Sequence, residues 1–261
     1  MRRLFAALVA VSLMLPVLAV GPVSANEGNC SQGKGWRDFA GMENSSSTPS
    51  QNRSGAGASI QISRDGFDIC NNYGIDYSSI SAWVSISPRD AGDTNRIIQV
   101  GITECANGNI LGGPVCQGEN NPHFFWAWGG CGLQIPFAQD MGPADGLLHD
   151  YALWLDNAGY WHFVVDGAPI GSEKHKRLPN VYINCWSGLT RRASWMAERA
   201  DPGDSSGNVT DKTRVYNAAY GVYNQGWFNP LWNANSSCHY YTTQNKCDLL
   251  SDNDLDFWTV Q

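Results

Sequence analysis

Two side chains on this chain are suited to act together on a water molecule, the amide of Gln99 and the carboxylate of Glu198. Gln99 stands in Ile97-Ile98-Gln99-Val100-Gly101 and Glu198 closes Ser194-Trp195-Met196-Ala197-Glu198. Both runs have the β-branched and aromatic character of strands. A carboxylate takes a proton from a bound water and later returns it to a leaving amine. A fixed amide N–H donates to the oxyanion that develops in between. On neighbouring strands the two groups have the parts needed to hydrolyse a peptide bond. The amide does not titrate, so one carboxyl group would serve as base and then acid, which implies an acidic optimum.

Successive side chains of a strand point to opposite faces. Ile98, Val100 and Ile102 therefore share one face, and Gln99 lies with Ile97 and Gly101 on the other. Gly101 is expected to leave open space beside the amide. Glu198 shares its face with Ser194, Met196 and Ala200, small or flexible neighbours such as a groove floor needs. In Ser81-Ala82-Trp83-Val84-Ser85-Ile86, Trp83 and Ser85 fall together, so Trp83 is expected to wall the same groove.

The surrounding chain reads as all-β. Short runs at 58–63, 80–86, 96–103, 122–128, 149–156, 160–166 and 193–200 are punctuated by Gly, Pro, Asn and Asp. The clearest hairpin joins His149–Asp156 to Tyr160–Asp166 through Asn157-Ala158-Gly159. No stretch sustains a 3.6-residue period. Many short strands imply one antiparallel β-sandwich, a jelly roll of the concanavalin-like kind. The sandwich is assigned to residues 58–261. Residues 26–57, rich in Ser, Gly and Asn, read as a flexible N-terminal segment outside it. The aromatic, Asn-rich C-terminal part is expected to end in a closing strand at 257–260.

Arg2 and Arg3, an apolar run from Leu4 to Val20 and the small residues Val23-Ser24-Ala25 read as a secretory signal, residues 1–25, cleaved after Ala25. The expected location is extracellular, with no membrane association after cleavage. The remaining 236 residues carry a formal charge of −9 and all eight cysteines. An even cysteine count in an exported chain reads as disulfides, with Cys238–Cys247 and Cys105–Cys116 suggested by short spacing. No CxxC pair or other metal spacing is present, so no metal and no cofactor is expected. An acidic chain is a poor partner for nucleic acid. The expected partner is a polypeptide or a glycan, and the expected state is a monomer.

Four blocks carry a family resemblance: Ser81-Ala82-Trp83-Val84, Ile98-Gln99-Val100-Gly101, Phe125-Trp126-Ala127-Trp128 and Ser194-Trp195-Met196-Ala197-Glu198. In this order they resemble the Ala-Trp-Val-Gly, Leu-Gln-Thr-Gly, Trp-Tyr-Glu-Trp and Glu-Trp-Ile-Val-Glu blocks of the eqolisin-type glutamic peptidases. Neprosin-type peptidases are similar but carry Glu in place of the Gln. The resemblance covers roughly residues 80–210. It implies an antiparallel β-sandwich and a Gln/Glu dyad formed by Gln99 and Glu198. It also implies a substrate groove walled by Trp83, with Trp126 and Trp128 beside it. The chain departs from the family at Ser194, Ala127 and Thr103, where the blocks have acids.

A different class of function rests on the eleven tryptophans. Aromatic rings exposed on a β-sandwich stack on sugars, which suggests a non-catalytic carbohydrate-binding sandwich; buried rings would instead be core. Hydrolysis of glycosides needs two carboxylates, and only one acid holds a good strand position. Gly203-Asp204-Ser205-Ser206-Gly207 resembles a serine-peptidase nucleophile loop but has Ser206 where that loop needs Gly, so it reads as a polar turn. Asp201, Asp204 and Asp211, or Asp252, Asp254 and Asp256, lack Ca²⁺-loop spacing and read as solvated loops. The five histidines fall in no metal spacing and read as surface or hairpin residues.

Overall fold

The computed structural model describes residues 38–45, 52–62, 79–88, 96–105, 109–110, 113–114, 122–129, 137–143, 148–169, 177–179, 186, 189–199, 212–233, 236, 238–240 and 245–259. The strands are β1 (Asp38–Ser45), β2 (Arg53–Gln61), β3 (Ser79–Pro88), β4 (Ile98–Cys105), β5 (Asn109–Ile110), β6 (Gly113–Pro114), β7 (His123–Trp128), β8 (Phe137–Pro143) and β9 (Leu148–Leu155). They continue as β10 (Tyr160–Val165), β11 (Ala168–Pro169), β12 (Arg177–Pro179), β13 (Arg191–Arg199), β14 (Thr213–Val222), β15 (Gly226–Phe228), β16 (His239–Tyr240), β17 (Asn245–Leu249) and β18 (Leu255–Thr259).

These strands make two antiparallel sheets, as the alternating pattern predicts. The seven-stranded sheet runs β16-β1-β13-β3-β4-β7-β8. The nine-stranded sheet runs β11-β10-β9-β2-β14-β18-β17, with β12 on β10 and β15 on β14. The small pair β5-β6 stands apart. Among the described residues there is no helix long and apolar enough to cross a membrane.

The core lies between the two sheets. The seven-stranded sheet contributes Ile80, Ala82, Val84 and Ile86 from β3, Ile98, Val100 and Ile102 from β4, and Ala193, Trp195 and Ala197 from β13. The other sheet answers with Ala56, Ala58 and Ile60, Tyr151 and Leu153, Trp161 and Phe163, and Leu255 and Phe257. Trp126 stacks on Phe163 across the interface, ring centroids 4.7 Å apart. Trp195 crosses the same gap and donates its Nε1–H to the Gly57 carbonyl at 2.9 Å. That carbonyl sits beside an irregularity in β14 between Tyr216 and Ala219, where Asn217 takes φ 54°. The Trp195 indole N–H and the Gly57 carbonyl thus satisfy each other next to the bulge.

The sandwich begins earlier than residue 58. β1 is flanked on both sides, by β13 and β16, and β2 lies in the middle of its sheet from Arg53 onward. The segment 26–57 is therefore not wholly outside the fold. β1 and β2 bury mostly small side chains, Ala40, Ala56 and Ala58, so their alternation is faint in the sequence. The Cys238–Cys247 bridge is present, and it ties the approach to β16 to β17. Cys116 and the Gly203–Gly207 turn lie outside the described residues.

The hairpin β9–β10 follows its sequence signal closely. Asp156 Oδ1 accepts from the N–H of Ala158 at 2.8 Å and of Tyr160 at 2.9 Å, and Gly159 takes φ 83°. Burial would raise the Asp156 pKa, but hydrogen bonds from His162, Tyr160 and Ala158 prevail and hold it below the ordinary value. The C-terminal acids are likewise structural. Asp254 Oδ1 accepts from the Asn217 N–H at 2.8 Å, and Asp256 faces Lys212 at 3.6 Å and Arg214 at 3.3 Å. Among the described residues no acidic or His/Cys cluster could hold a metal ion.

Candidate active site on the seven-stranded sheet

The outer face of the seven-stranded sheet is polar, and the register orders its side chains into rows. Across β13-β3-β4-β7, Ser194 faces Ser85, Ser85 faces Gln99, and Gln99 faces Ala127. Two residues along, Met196, Trp83, Gly101 and Phe125 form the next row. The row after that holds Glu198, Ser81, Thr103 and His123. Strand parity thus puts Gln99, Glu198, Trp83 and Ser85 on one face, as read from the sequence.

Gln99 and Glu198 nevertheless stand apart. They are two strands and four residues from each other, which is about 10 Å across and about 13 Å along the sheet. Trp83 lies at the midpoint of that diagonal, since it is paired with both Met196 and Gly101. Two hydrogen bonds through one water span only about 5–6 Å. The pair therefore does not share a single water in this arrangement, which corrects the dyad expected from the sequence. The position directly across from Gln99, with only Ser85 between, is Ser194. It is the position where the resembling block has its first Glu.

Trp126 and Trp128 are the second correction. Register places Trp126 opposite Val100 and Trp128 opposite Ile98, on the core face. Trp126 is buried against Phe163, and Trp128 packs against the core. The β7 residues that face the polar side are His123, Phe125 and Ala127. Taking Trp126 and Trp128 as groove walls reversed the parity of β7.

Gly101 does not open space beside Gln99. A Cβ there would lie 2.7 Å from both Cα and Cβ of Trp83. The glycine is what lets β3 come close enough to seat the indole. Trp83 itself is expected groove lining in the right row, although it is only 3% exposed.

Each polar row has its own chemistry. In the Glu198 row, Ser81 Oγ and Thr103 Oγ1 are 2.8 Å apart, and Thr103 Oγ1 also donates to the Ile80 carbonyl at 3.0 Å. His123 in this row is buried, not the surface residue expected. In the Gln99 row, Ser85 is 1% exposed and its Oγ has no hydrogen-bond partner among the described residues. One step beyond, Arg192 donates to Glu43 Oε2 at 2.9 Å and to Ser87 Oγ at 2.9 Å. Glu43 is paired with Ser194 in register, at the far end of the Gln99 row, and is engaged by a guanidinium, while Asp140 of β8 pairs with Phe125 in the next row. The sequence places Ser85 on this face, but Arg192 and Glu43 escape that reading; counting by twos from Ser194 reaches Arg192.

No family model matches the chain, and no curated protein matches it. Among solved structures, Scytalido-glutamic peptidase with a peptide-based transition-state analogue is 10% identical, with a TM-score of 0.44 over 85% of this chain and 97% of that one. A tripeptide complex of an Eqolisin-family peptidase is 8% identical, with a TM-score of 0.44 over 85% and 98%. A glucan-active glycoside hydrolase of Bacteroides ovatus is 10% identical, with a TM-score of 0.34 over 62% and 66%. All three are hydrolases.

Proposed function

We propose that this protein is an exported, glutamic-peptidase-like β-sandwich that binds polypeptide on the polar face of its seven-stranded sheet and does not hydrolyse it. One observation carries the second half of the reading: among the described residues, the Gln99 row holds only Ser85, Ser194, Ala127 and Ala138 within two strands of the amide, and its one acid, Glu43, stands three strands away on Arg192. Gln99 can donate to a carbonyl oxygen, yet among the described residues no carboxylate of its row lies within two strands of that amide to take a proton from a water it holds. The unpartnered Ser85 hydroxyl supports binding, because a buried hydroxyl left unsatisfied costs about 1–3 kcal/mol and a ligand carbonyl would satisfy it. Ser85, Gln99 and Ser194 are each at most 4% exposed, so a ligand reaches them only after the face opens.

The test is an acid-range assay, pH 2 to 6, on unfolded protein, with wild type and Glu198→Gln side by side, and with peptide retention measured on the same samples. Background turnover in both, with retention reduced by Gln99→Ala, is the expected result. Turnover by wild type that Glu198→Gln abolishes would restore Gln99 and Glu198 as a working pair and overturn the reading. For export, the expected outcome is a mature N-terminus at Asn26 in the medium.

A further inference from the structure

The outer face of the opposite, nine-stranded sheet carries a different feature. Register aligns Trp227 of β15, Gly221 of β14, Gly55 of β2, Trp154 of β9 and His162 of β10 in one row perpendicular to the strands. The six-membered ring of Trp227 lies down over β2: a Cβ on Gly55 would come within 2.9 Å of its Cη2, and one on Gly57 within 3.5 Å of its Cζ3. The glycines form a floor that only residues without side chains supply. Trp227 still has 49% of its surface exposed. Trp154 stacks on His162 with centroids 5.2 Å apart and planes 13° from parallel, and His162 Nε2 meets Asp156 Oδ2 at 2.6 Å. The row is a fixed aromatic strip about 19 Å long, four strand spacings.

We infer that this strip is a binding site for a neutral polysaccharide chain. A pyranose presents a flat face of C–H groups with hydroxyls at its rim. The negative face of an exposed indole attracts such C–H groups, and the indole N–H and nearby polar groups meet hydroxyls. Glycines inside strands weaken a sheet, and the tryptophan held down on them still leaves about half of its surface in solvent, so packing accounts for only part of the arrangement. The chain's net charge of −7 and Asp156 beside the row weigh against a polyanion, while register continues the row to one cation, Arg177 of β12, and the anionic comparison below tests that balance. A second copy of the chain is also a poor occupant. One row about 7 Å wide and 19 Å long covers on the order of 130 Å², against about 800 Å² per partner in a stable interface. This site is independent of the polar face proposed for polypeptide.

The experiment is affinity electrophoresis of the full exported protein through gels containing a soluble β-glucan, xylan or mannan, with polygalacturonate as the anionic comparison. Wild type, Trp227→Ala, Trp154→Ala and Trp227→Phe are compared, with thermal melts and sedimentation on each. Retardation by at least one neutral polymer is expected, weakened at least about tenfold by either alanine variant and largely kept by Trp227→Phe, with melting unchanged for the exposed Trp227→Ala. Trp227 is the decisive position, since Trp154 is partly buried. No retardation by any neutral polymer overturns the proposal. So does retardation by polygalacturonate alone, equal retardation of wild type and Trp227→Ala, or a wild-type dimer that Trp227→Ala dissociates.

Discussion

Ser194→Glu tests the register argument most directly. Residues paired across an antiparallel sheet have Cβ atoms about 5 Å apart, so the Cβ atoms of positions 194 and 99 are about 10 Å apart with Ser85 between them. Two extended side chains leaning inward close that gap to about 5 Å, the span of one water with two hydrogen bonds. Glu198 reaches no such geometry, because its diagonal to Gln99 is about 16 Å long and passes over Trp83. The substitution buries a carboxylate at a position 4% exposed, directly across from Glu43. Burial and the like charge both disfavour the ionised form, while Arg192 on the same face relieves part of it. A loss of about 2–4 kcal/mol at pH 7 is expected, smaller at pH 4 where the new carboxyl is neutral. General-base catalysis alone contributes about 100-fold or more. A fluorogenic peptide cleaved between pH 3 and 5 by Ser194→Glu, about 100-fold above wild type and lost in Gln99→Ala/Ser194→Glu, is the expected result. A variant that melts cooperatively and cleaves no faster than wild type refutes the idea that only the acid across from Gln99 is missing.

Three further outcomes follow from packing and titration. Gly101→Ala pushes a methyl into the backbone of Trp83, which cannot yield, so about 3 kcal/mol is lost, read as a fall of roughly 6–12 °C in Tm; a change under 2 °C would mean the strands spread freely. Asp156→Ala removes two backbone acceptor contacts and the His162 bond, about 1–2 kcal/mol at pH 7. Its folded pKa is lowered, so this contribution is present above the ordinary carboxylate pKa and vanishes as pH falls through the folded value; urea melts of both proteins should converge near pH 2 and differ most above pH 5. Replacing Cys238 and Cys247 by serine opens a loop of sequence separation 9, for about 2.5–3 kcal/mol by chain entropy, measured against the oxidised protein in urea.

Parity was the part of the site legible in the sequence. Counting by twos puts Gln99, Trp83, Ser85, Ser194 and Glu198 on one face, and every one of them lies there. Register was not legible, because pairing depends on where turns fall, and a shift of four residues keeps parity while moving a side chain about 13 Å. Glu198 and Ser194 are equivalent by parity, so only the observed pairing with Ser85 separates them. The strands Ile80–Ile86 and Ile98–Ile102 were readable since their inward positions are bulky. β1 and β2 were not, since Ala40, Ala56 and Ala58 give little contrast with the Ser, Gly and Asn around them.

The two outer faces of the sandwich also differ in what maintains them. On the seven-stranded sheet, polar side chains are buried and one hydroxyl lacks a partner, a state that costs free energy as long as nothing meets it. On the nine-stranded sheet, an indole is held over glycines, which weakens the sheet while about half of the side chain stays in solvent. Neither arrangement is the lowest-energy choice for a strand that needs only to pack, where Thr or Val would serve. Two single substitutions separate the two faces. Ser85→Ala, which removes the unpartnered hydroxyl, should raise stability by about 1 kcal/mol or leave it unchanged and weaken peptide retention only. Trp227→Ala should leave peptide retention intact and weaken glucan retardation only. If Ser85→Ala destabilises the fold by more than about 1 kcal/mol, the hydroxyl is already satisfied and the polar face needs no ligand to explain it.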